Sequence, residues 1–172
     1  MPEGVRVRDA EPQDAAAIAA CHVRTWQAAY AGLLPADFLA ELDPAPRERI
    51  WREEIDRGGD VLVAERDGRV IGFASVGPSR DEPDAGELYA IYVEPDAWST
   101  GAGRALMDAA LARLAAAGFD EATLWVLEAN LRARRFYECA GWSIDGGRQD
   151  LTLGGAAVAE IRYRFRGMSA LR

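Results

Sequence analysis

Val93-Glu94-Pro95-Asp96-Ala97-Trp98-Ser99-Thr100-Gly101-Ala102-Gly103-Arg104 joins two segments of different period. Before it, Glu87 to Val93 alternates as a β-strand does. After it, from Gly103 to Gly118, Met107, Ala110, Leu111 and Leu114 form one helical stripe, and Gly118 suits the position just past a helix end. A strand that feeds a glycine-containing loop and then a helix leaves several backbone N–H groups unpaired and aimed at one point. The helix dipole favours negative charge there. Glycine removes side chains that would keep a ligand's oxygens from the main chain, and Ser99 or Thr100 can add a hydroxyl or cap the helix. The segment reads as a diphosphate cradle; Gly-x-Gly alone fits a tight turn against a sheet equally well.

Working outward, Val5-Arg6-Val7-Arg8 alternates as a short strand, and Pro12 and Asp14 introduce an Ala-rich helix towards Tyr30, ended by Gly32. Pro35 to Leu42 and Pro46 to Arg57 read as two shorter helices separated by Asp43-Pro44. Asp67-Gly68 is a two-residue hairpin turn between strands from Asp60 to Arg66 and from Val70 to Val76. Strict alternation in the next strand divides Glu87, Tyr89, Ile91 and Val93 from Leu88, Ala90 and Tyr92. Ala122 to Leu127 reads as a buried strand and Asn130 to Ala140 as a helix. Trp142 to Phe165 reads as two strands joined through Gly154-Gly155. This order predicts an α/β fold, a mixed sheet with helices on its faces.

The 172 residues suffice for one domain, 49% are apolar, and the mean hydropathy is −0.16, as in a soluble globular chain. Twenty basic and 28 acidic residues leave a net charge of −8, which argues against nucleic-acid and membrane-surface partners and favours a cationic amine. Every basic residue is Arg. Lysine chemistry is thereby excluded. His22, Cys21 and Cys139 cannot by themselves assemble a zinc site, so no metal is expected, and the distant cysteines read as reduced thiols. Met1 to Glu11 is charged, and the uncharged run Ala15 to Val23 is far too short for a membrane span. The expectation is a cytoplasmic protein.

The cradle narrows by elimination. The dinucleotide fingerprint needs a third glycine where Leu106 stands, and the Walker pattern needs a lysine. Val93-x-Pro95 with Trp98-x-x-Gly101-x-Gly103 instead resembles the acetyl-CoA pyrophosphate loop of the GNAT superfamily of N-acetyltransferases. Asn130-x-x-Ala133-x-x-Phe136-Tyr137-Glu138-x-x-Gly141-Trp142 is similar to that family's downstream block, in the same order and at the usual separation. Trp98 departs from the Gln or Arg often found there.

The resemblance implies one GNAT-like domain over residues 1–172, a mostly antiparallel twisted sheet of about seven strands with about four or five helices. It implies attack of an amine on the acetyl-CoA thioester between strands resembling Glu87–Val93 and Ala122–Leu127. Main-chain amides of Ser99, Thr100, Gly101, Ala102, Gly103 and Arg104 would hold the diphosphate, and the backbone of Ile91, Tyr92 and Val93 the pantetheine arm. Arg104 reads as a phosphate contact or as a solvated helix residue. Asn130 would bond the cofactor arm and Tyr137 reach the sulfur as acid, with a core aromatic as the alternative. Glu87 matches the strand-borne base of the histone-acetyltransferase-like branch, or it is a solvated strand end. Trp26, Tyr30 and Leu34, with Tyr89, are candidates for the acceptor pocket or for core. The acceptor is expected to be a small-molecule or peptide amine, and analogy allows a homodimer. A non-catalytic acyl-CoA sensor is the competing function.

Overall fold

Asp67 and Gly68 both take positive φ, 52° and 75°, the left-handed pair that a two-residue hairpin turn requires. In the computed structural model, which describes residues 4–172, this turn folds β2 (Asp60–Arg66) onto β3 (Arg69–Pro78). Met1–Glu3, the start of the charged stretch Met1–Glu11, lie outside the described residues. β1 (Val5–Asp9) pairs along the outer side of β2, and β4 (Gly86–Val93) along β3. β5 (Ala122–Leu127), β6 (Ser143–Leu153) and β7 (Ala156–Phe165) complete a seven-stranded sheet in the order β1-β2-β3-β4-β5-β7-β6. Every pairing is antiparallel except β4 with β5.

That exception positions everything that follows. β4 and β5 share only two register pairs, Gly86 with Ala122 and Glu87 with Thr123, and then part. Just beyond the second pair, β4 carries a bulge: Val76 opposes Leu88 while Ser75 opposes Ala90, so Tyr89 is the extra residue. The bulge corrects the strict alternation expected for this strand. Leu88 faces the same core as Ile91 and Val93, while Ala90 and Tyr92 face the other side.

The helices cover both faces. The apolar stripe of α4 (Ala102–Ala116), with Leu106, Met107, Ala110, Leu111 and Leu114 buried, packs one face, and Gly118 takes φ 96° beyond its end. α5 (Leu131–Cys139) adds Tyr137 to that core, and Ala140 joins it just past the helix end. On the opposite face α1 (Ala15–Ala29) buries Ile18 and Cys21 against Val61, Val63 and Phe73, with Trp51 and Ile55 of α3 (Pro44–Asp56) behind them. α3 begins two residues earlier than expected. The Asp43 carboxylate accepts the Ala45 N–H at 3.0 Å and caps the helix, and the fixed φ of Pro44 suits its first position. α2 (Ala36–Ala40) is shorter than the predicted Pro35–Leu42 segment. Among the described residues, no helix is long and apolar enough to cross a membrane, and no cluster of three His, Cys, Asp or Glu residues could hold a metal.

His22 sits inside the α1 face, stacked on Tyr92 with ring centroids 5.1 Å apart; its Nδ1 accepts the Trp51 indole N–H at 3.3 Å. Burial, with a smaller contribution from Arg47, pushes its pKa from 6.5 down to about 4. The unfolded chain takes up this proton near 6.5 and the folded chain only near 4, so stability is full above 6.5 and declines as pH falls between those values. The loss amounts to up to about 3 kcal/mol. Urea titrations at pH 7 and pH 5 should show this slope in the native chain and a flatter one in His22→Gln; equal slopes in the two would contradict it.

Candidate active site

Six successive N–H groups, Ser99 to Arg104, make no hydrogen bond to any described residue, and the helical ladder starts with Ala105 N–H donating to Gly101 O at 3.0 Å. Two backbone conformations produce this row. Gly101 takes φ 89° and Ser99 φ 61°, and the latter is uncommon for a residue with a side chain. The loop is braced from outside. The buried Glu94 carboxylate pairs with Arg24 of α1, the Trp98 indole N–H donates to Val93 O at 2.8 Å, and the Thr100 hydroxyl donates to Ala97 O at 2.6 Å. Neither Ser99 nor Thr100 caps the helix, because Gly101 occupies the capping position. Ser99, Gly101, Gly103 and Arg104 line the cleft, while the Thr100 hydroxyl is turned to Ala97 and Ala102 is fully buried.

The row opens on a cavity of about 920 Å³ that runs through the gap between β4 and β5. Ile91, Tyr92 and Val93 line one wall, and among the described residues the β4 edge facing β5 has no strand partner beyond Glu87. From the α5 side come Asn130 and Tyr137. Asn130 caps α5, its Oδ1 accepting the Ala133 N–H at 3.2 Å, so its amide donors remain for a ligand. Tyr137 is enclosed by Phe136, Trp142 and Tyr163, and burial followed by the neighbouring Tyr92 raises its pKa. Its proton therefore stays on oxygen through neutral pH.

The opposite wall is aromatic. Trp26, Tyr30 and Tyr89 line the cavity, and Trp26 meets Tyr30 edge to face at 5.0 Å. Leu34 does not. It lies behind Tyr30 in a core with Leu39 and Leu127, because the turn after α1 folds it inward. Glu87 also corrects the expectation. Its side chain is 1% exposed, points away from the cavity lining and accepts the Arg80 backbone N–H at 2.9 Å as well as the Arg80 guanidinium. The carboxylate is spent on holding the loop before β4. Glu87→Gln, which removes the charge facing Arg80, should lower unfolding free energy by about 1–3 kcal/mol in urea titration; an unchanged midpoint would contradict that role.

Residues not singled out from sequence complete the lining. Glu160 and Gln149 come from β7 and β6, where the Gln149 amide donates to Glu160 at 2.7 Å, and Asp81 accepts the Trp125 indole N–H at 2.7 Å. Glu160 reaches the cavity because it is paired with Leu127 of β5, a register that spans 33 residues and leaves no local signal. It makes no ion pair among the described residues. Arg132 and Arg135 of α5 also line the cavity, Arg132 over Trp98 of the loop.

Residues 26–142 match the Acetyltransferase (GNAT) family. The chain is 35% identical over 171 residues, 98% of its length and 96% of the relative's, to an uncharacterized N-acetyltransferase, YuaI, of Bacillus subtilis. It is 36% identical to mycothiol acetyltransferase of Thermobispora bispora over 163 residues, 84% of this chain and 50% of that one. Its fold is similar to that of PaiA N-acetyltransferase from Thermoplasma acidophilum, solved in complex with coenzyme A (TM-score 0.77, 18% identity, 94% and 98% of the two chains). It also resembles the ribosomal-protein-S18-alanine N-acetyltransferase of Escherichia coli (TM-score 0.68, 20% identity, 94% and 92%). The chain belongs to the GNAT acetyltransferase family and is an acetyltransferase.

Proposed function

We propose that this enzyme moves the acetyl group of acetyl-CoA to the primary amine of a small molecule or peptide. The observation that carries this reading is the row of six unpaired amides at a helix N-terminus, opening on a cleft that leads past Tyr137. Such a row suits a diphosphate, since each N–H donates without reorganisation and the helix dipole adds to the attraction. The coenzyme A held by the structurally similar PaiA enzyme supports it. Acetyl-CoA supplies a thioester carbonyl, which the neutral amine attacks as the thiolate departs.

Each wall then has a task. The unpaired edge of β4 at Ile91 to Val93 offers N–H and C=O groups to the amides of an extended arm, as an added strand would meet them. Asn130 contributes its amide donors to the same arm. Tyr137 donates a hydrogen bond to the leaving sulfur. An ordinary thiol has a pKa near 8.5, below that of the buried tyrosine, so the proton is shared with the thiolate rather than surrendered to it. Glu160, beside Tyr30 and Tyr92, attracts the ammonium form of the acceptor. With Glu87 held by Arg80, the amine's proton passes to water in the open cleft.

The proposal extends to residues 1–172 as one acetyltransferase unit working as a homodimer in the cytoplasm; the buried thiol of Cys21 and the exposed one of Cys139 are both unpaired, as a reducing compartment leaves them. The relatives named for mycothiol and for a ribosomal protein keep both small-molecule and peptide amines in the acceptor class.

Thiol release from acetyl-CoA, followed across amines, amino acids, polyamines and basic peptides, tests the reading; no release above background with any of them would contradict it. With an acceptor so found, Tyr137→Phe should lower kcat at least about tenfold, and an unchanged kcat would remove the donor role. Glu160→Gln should raise KM for a cationic acceptor about tenfold while leaving CoA affinity alone. Equal KM values would contradict the ammonium contact.

A further inference from the structure

Trp98 stands in the loop that leads into α4, and the structure shows what lies over it. The Arg132 guanidinium sits on the indole face with its carbon 3.4 Å from the ring centroid, as close as planar stacking permits. The indole is itself fixed by its bond to Val93 O, so the stack is anchored to the end of β4. Arg132 has no carboxylate partner among the described residues, whereas Arg104, on the other side of the loop, is paired with Asp108 at 2.8 Å. Partial burial lowers the Arg132 pKa, with Tyr137 opposing, as for a cation whose solvation is reduced without a counter-charge. Both Arg132 and Trp98 line the cavity next to Ser99, where the row of free amides begins.

We propose that Arg132, held by Trp98, is the cation of the diphosphate subsite, reaching from α5 to the position that the loop itself leaves uncharged. A stacked guanidinium keeps its donor edge free, and that edge matches two oxygens of one phosphate. The amides then solvate the diphosphate while Arg132 supplies charge. This rests on the acetyl-CoA reading above and assigns Arg132 to specificity for the carrier.

The test is calorimetry with CoA and with dephospho-CoA, which lacks the 3′-phosphate, on the wild type, Arg132→Gln, Trp98→Leu and the double variant. Arg132 is exposed in the first turn of α5, so ligand-free melting of Arg132→Gln should match the wild type. Arg132→Gln should weaken both ligands by the same factor, about tenfold or more. In the Trp98→Leu background the same substitution should cost about threefold or less, because the guanidinium is no longer held. Binding within twofold of wild type would overturn the proposal. So would a loss seen with CoA alone, which would assign Arg132 to the 3′-phosphate, or an equal loss with and without Trp98. Wild type that binds neither ligand would instead overturn the acetyl-CoA reading.

Discussion

β4 and β5 are parallel neighbours that pair for two residues and then separate, and the site exists because they do. A continuous ladder would satisfy the β4 edge internally and close the gap between Ile91 and Leu127. Once they part, both strands keep their outer partners, β3 and β7, so the sheet stays whole around the opening. The bulge at Tyr89 lies at the point of departure and turns the remainder of β4, bringing Tyr92 to the α1 face and Val93 to the α4 face. One loop joins the end of this strand to helix α4, so the unpaired N–H groups at the helix start open on the same gap.

The rest of the molecule maintains that geometry. Glu94 and Arg24 tie the loop to α1, Glu87 and Arg80 tie the strand's start to the loop before it, and the Leu106, Met107 and Leu114 stripe keeps α4 on the sheet. The two walls divide the chemistry. Amides and arginines gather at the loop end, while aromatic rings and the unpaired Glu160 gather on the α1 side, with Tyr137 entering from α5. The proposed anion and cation subsites thus stand at opposite ends of one cleft in an acidic protein, where the net charge by itself would favour only the cation.

What could be read from sequence was what local geometry decides. Asp67-Gly68 can close a hairpin without outside help, the α4 stripe reports one buried face, and the Gly101-x-Gly103 loop states its own backbone requirement. Pairing decided the rest. Strict alternation assigned Leu88 to the wrong face because a bulge depends on the partner strand, and the family resemblance offered Glu87 as a base although Arg80 claims it. Leu34 stands only four residues after Tyr30, yet the turn after α1 buries it. Glu160, Gln149 and Arg132 were silent, since their places come from strand register and from a stack onto a residue 34 positions away.

The central claim, that the amides from Ser99 to Arg104 receive the diphosphate of an acetyl carrier, is tested most directly by observing those amides. Backbone-resolved NMR during addition of CoA should show their resonances moving furthest, together with those of Ile91 to Val93, while β1 and β6 stay in place. Saturating CoA that leaves the six loop amides unmoved would contradict the account.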